Sequence, residues 1–235
     1  MDKNLARCAS CAIKRHEKAC RAQDGKGPAF CPTNNYGGAI ERGRERYADS
    51  EIAGFARQAS IQEAMCYIER EAKPYVLFPV KPRLEEICEF AERMGYRRLG
   101  LAFCGGLHSE ASVLAGILEK HGFEVVSVVC KVGCVPKETL GLKEEEKVSI
   151  GSFEAMCNPI TQAEVLNEAE TEFNIIMGLC VGHDSLFLKN AKAMTTVFAV
   201  KDRVLGHNPI AALYTSESYY QRFVKRPRSI NEKNG

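Results

Sequence analysis

The sequence predicts an α/β protein: a parallel, doubly wound sheet of about four or more strands, preceded by an N-terminal helical layer and a small loop-rich cysteine module. One observation points to the sheet. From residue 98 onward, short apolar runs alternate with helix-patterned segments in the order β-α-β-α-β. Such alternation favours parallel strands joined by right-handed crossovers. A second observation sets the front of the chain apart. Four cysteines fall in the first 36 residues, among glycines and prolines and with few aliphatic side chains.

Taken in order, residues 1–36 form the cysteine module, 37–95 the helical layer, 96–224 the α/β domain and 225–235 a flexible basic tail. The module has too little apolar material to fold on a core of its own, so another agent must staple it. Residues 38–72 read as two helical segments with a break near Ala59–Ser60. Pro74–Pro82 is a connector with an apolar middle, Tyr75 to Phe78. In Arg83–Met94, Leu84, Ile87, Cys88 and Ala91 share one face at helical spacing, and Gly95 supplies the stop. Strands follow at Arg98–Phe103, Phe123–Val129, Asn174–Val181 and Thr195–Val200. Helices are expected at Ser109–His121, from Pro159, at Asp184–Lys192 and from Pro209. Lys131–Met156 is an irregular excursion whose charged run, Lys143–Lys147, should face solvent.

Composition narrows the function. Apolar residues make up 45% of the 235, enough for a sizeable core, and the net charge of +2 is too small to imply nucleic acid. The basic cluster Lys225, Arg226 and Arg228 is short for a binding face. The N-terminus lacks the apolar stretch of a signal peptide, and no apolar run approaches the roughly 18 residues of a membrane span. The expectation is a cytoplasmic protein with neither nucleic acid nor membrane as partner. Eleven cysteines then point to metal or redox chemistry, because stable disulfides are rare in a reducing compartment.

Two constellations carry that chemistry. Cys8-x-x-Cys11, Cys20 and Cys31-Pro32 supply four thiolates, which suit a tetrahedral zinc ion or an iron–sulfur cluster. The terminal Cys-Pro favours the cluster, as at the end of bacterial ferredoxin motifs. The second constellation follows from topology. Every strand-to-helix turn of a parallel sheet lies at the same edge, where ligands bind. There the sequence places Cys104-Gly105-Gly106, then Cys130 and Cys134, then Cys157 before Asn158-Pro159, then Cys180-Val181-Gly182-His183. Cys104, Cys130, Cys134, Cys157 and Cys180 are candidate metal ligands, and Gly105, Gly106 and Gly182 allow a cofactor to approach closely. His183 is a ligand or the catalytic general acid. Cys157 and His207 each precede Asn-Pro, which fits a helix start and its positive dipole end. Lys201 and Arg203 offer charge for an anionic substrate, and Cys66 and Cys88 read as inert core thiols. There is no GxGxxG and no Walker loop.

Cys8-Ala-Ser-Cys11, Met156-Cys157-Asn158-Pro159-Ile160, Gly178-Leu179-Cys180-Val181-Gly182-His183-Asp184 and Lys201-Asp202-Arg203-Val204-Leu205 together resemble a cysteine-rich family of unknown function from anaerobic bacteria and archaea, usually labelled "predicted metal-binding protein". The resemblance spans nearly the whole chain. It implies metal binding in an anaerobic cytoplasm and no established reaction. Three expectations follow. One or two iron–sulfur clusters support a redox or sulfur-handling reaction, with an electron donor or small-molecule substrate as partner. Alternatively, zinc staples a non-enzymatic protein that binds, senses or delivers a soft metal. In the third, Cys130-x-x-x-Cys134 cycles with another cysteine and there is no metal at the edge.

Overall fold

The computed structural model describes residues 5–225, which divide after Met65 into two compact units. The expected basic tail lies outside the described residues from Arg226 onward.

The first unit opens with turns around Cys8–Ser10 and Arg15–Glu17, then α1 (Pro32–Asn35), α2 (Gly37–Arg46) and α3 (Ser50–Met65). The expected break near Ala59–Ser60 is not there. Ser60 turns its hydroxyl back onto the Ala56 carbonyl at 3.0 Å, so it sits inside the helix without interrupting it. The break falls at Tyr47–Asp49 instead. Asp49 starts α3 by accepting the Glu51 and Ile52 amides at 2.8 and 3.3 Å.

In the second unit, α4 (Arg83–Met94) precedes β1 (Arg98–Phe103), α5 (His108–Lys120), β2 (Glu124–Val129), α6 (Pro159–Glu168), β3 (Phe173–Leu179), α7 (His183–Asn190) and β4 (Thr195–Val200). The short helices α8 (Ile210–Tyr214) and α9 (Arg222–Lys225) follow. Gly95 closes α4 in the left-handed region at φ 73°, as its position predicts. The four strands are all parallel in the order β2-β1-β3-β4. The chain moves one way from β1 to β2 and the other way afterwards. Crossovers of a single hand therefore put α5 on one face and α6 and α7 on the opposite face. Packing agrees. Ala102, Val128 and Ile176 bury against Ala163 and Leu166 of α6 and Phe187 of α7. On the other face, Phe90 of α4 meets Phe173 at 5.5 Å between ring centroids. Each fully buried Leu, Ile or Phe in these layers contributes roughly 1.5–3 kcal/mol. The class expected from the sequence, a doubly wound parallel α/β sheet, is the class observed. No helix among the described residues is long and apolar enough to cross a membrane.

The excursion between β2 and α6 is ordered by charge. Lys147, expected on the surface, is buried with its ammonium between the Glu138 and Glu144 carboxylates. A cation with two carboxylates in reach is better satisfied there than the sequence run suggested. Lys137 pairs with Glu154 at 2.7 Å. Glu154 also accepts the Val148 and Ser149 amides at 3.0 and 3.1 Å. The Lys137 ammonium above all, with these amides, holds the Glu154 carboxyl down at about 2. Its contribution is complete above the unfolded glutamate value of about 4.3 and is lost as pH falls through the folded value. Acidification from about pH 5 to about pH 2 is therefore expected to loosen residues 137–154, read as a loss of amide protection at Val148 and Ser149 relative to their intrinsic exchange rates at each pH. Unchanged protection across that window would contradict this account of the excursion.

Candidate metal centre and thiol edge

In the first unit, Cys8, Cys11, Cys20 and Cys31 all line one cavity of about 90 Å³, together with Lys18, Lys26, Pro28 and Phe30. Backbone turns deliver them. The Cys11 amide bonds the Cys8 carbonyl at 3.1 Å, and the Ala19 amide bonds the Lys26 carbonyl at 2.8 Å, folding the intervening loop back on itself. Cys31 stands at the N-cap of α1. Burial pushes its thiol up, but bonds from the Thr33 hydroxyl and the Thr33 and Asn34 amides outweigh this and lower it. Gly27 marks how tight the wall is: a Cβ there would lie 2.8 Å from the Cys31 sulfur. No residue from 5 to 36 is buried.

This donor set fits a metal. Four soft sulfur ligands surround a space well above the 10–15 Å³ that a single water needs. Two lysines on the same wall offset the negative charge that four thiolates bring. Among the described residues, no three His, Cys, Asp or Glu side chains already stand grouped to hold an ion. Binding would therefore draw the sulfurs inward.

In the second unit the direction of winding reverses between β1 and β3, so the turns after these strands lead to helices on opposite faces, the switch point at which open α/β sheets bind ligands. Cys104 follows β1 and Cys180 follows β3. Three of the five predicted edge cysteines come together. Cys130 is buried in the core cluster, and Cys104 and Cys157 pack against that cluster. Cys157 packs against the cluster that holds Cys130, close enough for each sulfur to act on the ionisation of the other. The Asn158 amide reaches the Cys130 carbonyl at 2.8 Å, locking the two thiol-bearing segments side by side. Cys157 immediately precedes α6, where Asn158 accepts the Thr161 amide at 3.2 Å and Pro159 opens the helix.

The pair is electrically unequal. The Cys130 hydrogen bond, with the charges of Lys131 and His183 and a bond from Lys131, outweighs desolvation and lowers the Cys157 thiol to about 5. The bond to Cys157 and burial push Cys130 upward, with the Gly105 amide opposing. Cys157 has the Lys131 charge and partial exposure, whereas Cys130 is 3% exposed.

Other predicted residues lie differently. Cys134 is exposed, in the left-handed region at φ 48°, and is turned to the surface by Gly133 at φ 85°. Cys180 accepts a bond from the Arg203 guanidinium at 3.2 Å. Gly105 donates its amide to the Cys130 sulfur at 3.3 Å, and Gly106 lies beside the Lys201 ammonium and the Cys104 sulfur. Gly182, at φ 86°, caps α7, which begins at the half-buried His183. His207 does not head a helix as expected. Its own φ is 65°, its ring nitrogen takes the Asp202 amide at 3.1 Å, and the five-residue α8 starts after Pro209. Cys66 and Cys88 are buried, and burial pushes the Cys88 thiol up, in keeping with core thiols.

Two contributors escaped the sequence reading. Lys131 spans from the Cys157 sulfur to the Ala155 carbonyl at 2.5 Å. Gln162, wholly buried, donates to the Phe103 and Val128 carbonyls at 3.2 and 2.7 Å and so pins α6 to the ends of β1 and β2. Lys131 was legible as the neighbour of Cys130; Gln162 looked like an ordinary helical residue.

Fold and sites together define a cysteine-rich α/β protein with a thiol-lined cavity in one unit and a thiol-bearing strand edge in the other. The chain belongs to the family described as "protein of unknown function (DUF1847)", whose model matches residues 31–198. The resemblance read from the motifs, to a family of unknown function with archaeal members, is borne out. The uncharacterized protein MJ0455 of Methanocaldococcus jannaschii is 53% identical over 160 residues, covering 68% of this chain and 77% of its own length. Among solved structures, Dph2 from Pyrococcus horikoshii is similar over 42% of this chain and 22% of its own, at 20% identity and a TM-score of 0.26.

Proposed function

We propose that the protein is a metal-binding thiol protein. Cys8, Cys11, Cys20 and Cys31 hold an iron–sulfur cluster, and the carboxyl edge of the sheet supports a redox or sulfur-handling reaction on a small molecule. The observation that carries the reading is the convergence of four cysteines on one cavity in a segment with no buried residue. Nothing apolar holds that segment together, and metal–thiolate bonds are the remaining source of order. When bound, a cluster supplies one-electron transfer. The chain supplies four sulfur donors, and Lys18 and Lys26 on the cavity wall temper their charge.

A second reading, zinc, has its own support. The tight Cys8–Cys11 turn, closed by the 3.1 Å amide bond, suits a compact tetrahedral ion. The protein would then be a zinc-stapled binder, sensor or carrier of a soft metal. Iron, zinc and acid-labile sulfide, measured on full-length protein isolated without oxygen, separate the two. Iron with sulfide and a broad visible band is the expected result. Zinc in a colourless protein moves the assignment to the second reading. Protein that binds neither metal, even after reconstitution, overturns both.

A further inference from the structure

We infer that Cys157 and Cys130 form a dithiol–disulfide couple at the sheet edge, in which Cys157 attacks an external disulfide and Cys130 resolves the mixed disulfide. The inference deepens the redox reading of the edge and is independent of what fills the N-terminal cavity.

The arrangement divides the labour by access. Cys157 is partly exposed at the start of a ten-residue helix, with the Lys131 ammonium on its sulfur and the His183 ring close enough to act on its charge. A disulfide from solvent can reach it. Cys130 is buried, with Cys157 packed against the same core cluster and the Asn158 amide on the Cys130 carbonyl, so it reaches no substrate but is already placed beside the sulfur it must attack. The Gly105 amide points at the Cys130 sulfur from 3.3 Å, where it stabilises negative charge once the proton leaves. Cys134, close to Cys130 in sequence, is turned away to the surface.

The chemistry balances without a group the chain lacks. The Cys157 thiolate attacks one sulfur of R–S–S–R. A Cys157–S–R bond forms as the S–S bond breaks, and one RS⁻ leaves with the electron pair and takes a proton from solvent. Cys130 then loses its proton and its sulfur attacks the Cys157 sulfur, releasing the second RS⁻, which is protonated in turn. The external disulfide is reduced to two thiols and the Cys130–Cys157 pair is oxidised to a disulfide. A reduced dithiol, as external reductant, returns the pair to its starting state.

The test treats reduced full-length protein with hydroxyethyl disulfide, quenches with acid and maps the peptides by mass spectrometry. The expected product in the wild type is a cross-link between the peptides carrying Cys130 and Cys157. In Cys130→Ala a stable hydroxyethyl-thiol adduct accumulates on Cys157, and in Cys157→Ser both the cross-link and any adduct on Cys130 are lost. A wild-type chain that keeps the adduct on Cys157 without closing the cross-link overturns the inference, as does a cross-link from Cys157 to Cys104. The wild-type result decides even if Cys130→Ala fails to fold. Metal content measured on the same sample reports separately on the N-terminal centre, so one reading can fail without the other.

Discussion

Replacing Cys11 with serine is expected to strip the metal from the N-terminal module and unfold residues 5–36, while the sheet unit keeps its structure. The size of the effect follows from what the module lacks. No residue in that stretch is buried, so there is no hydrophobic term to oppose the cost of ordering its backbone. Its internal order rests on short turns, a cation–π contact of Arg7 over Phe30 at 4.9 Å and a few backbone bonds. Such contacts contribute about 1 kcal/mol each at most. A structural four-ligand site contributes roughly 10–16 kcal/mol of apparent binding free energy in small metal-folded peptides. Three ligands cannot replace four at that scale. The sheet unit has its own core, with Leu99, Leu101, Ile175 and Phe187 fully buried. Limited proteolysis with metal analysis reads both halves of the prediction: rapid cleavage before residue 37, a resistant fragment beyond it, and loss of bound metal. A Cys11→Ser protein with an intact, protease-resistant N-terminus would show that something other than metal orders the module.

The reaction of Cys157 with a neutral disulfide is expected to be nearly flat from about pH 8 to about pH 6, where an ordinary surface thiol slows about tenfold per pH unit. Magnitudes decide the form of this prediction. A thiol lowered to about 5 is almost wholly ionised at neutrality. An ordinary thiol near 8.5 is only a few per cent ionised, so the gain in thiolate is roughly 30-fold. Intrinsic nucleophilicity falls with basicity, and a Brønsted slope of about 0.4–0.5 forfeits a similar factor. The two nearly cancel at pH 7. The advantage appears below it, because the Cys157 thiolate persists until pH falls through about 5 while ordinary thiols are protonated away. Cys130, Cys104, Lys131 and His183 are the ionisable groups bearing on the pair. Lys131→Met removes a cation and a hydrogen bond from the thiolate. It should move the midpoint of the profile upward and restore a slope between pH 6 and 7. A Cys157 rate that rises tenfold per pH unit across this window in the wild type would place the negative charge elsewhere.

The sheet was legible because its elements carry strong periodic signals. β1 and β4 begin and end where their apolar runs do, and α4 runs from Arg83 to the Gly95 stop. The break in the N-terminal helices was misplaced because the Ser60 hydroxyl satisfies itself against the preceding turn and lets the helix run on, which the sequence does not show. Of the edge residues, Cys104, Cys130 and Cys157 were found because strand-end positions of a parallel sheet follow from topology. The outward position of Cys134 was not legible, because its turn depends on two successive left-handed residues, which spacing does not reveal. At His207 the Asn-Pro signal does precede a helix, but that helix is capped by Pro209 and not by Asn208, so the histidine stands one residue further from its start than Cys157 does from α6. The inequality of Cys130 and Cys157 was out of reach, since it arises from burial and from the Lys131 charge that the fold sets beside Cys157.

The excursion between β2 and α6 leaves the sheet at Cys130 and returns at Cys157, and its two ends are fastened where they meet, by the Asn158 amide on the Cys130 carbonyl and by the bridge between Pro136 and Ala155. Its outer part is held by its own ion pairs and not by the sheet's core. A loop so clamped at the neck gives descent a place to vary. Doubling its length costs only about 0.6 kcal/mol of closure entropy. Insertions and deletions at its crown can thus reshape what greets an incoming molecule while the two sulfurs at its base keep their places.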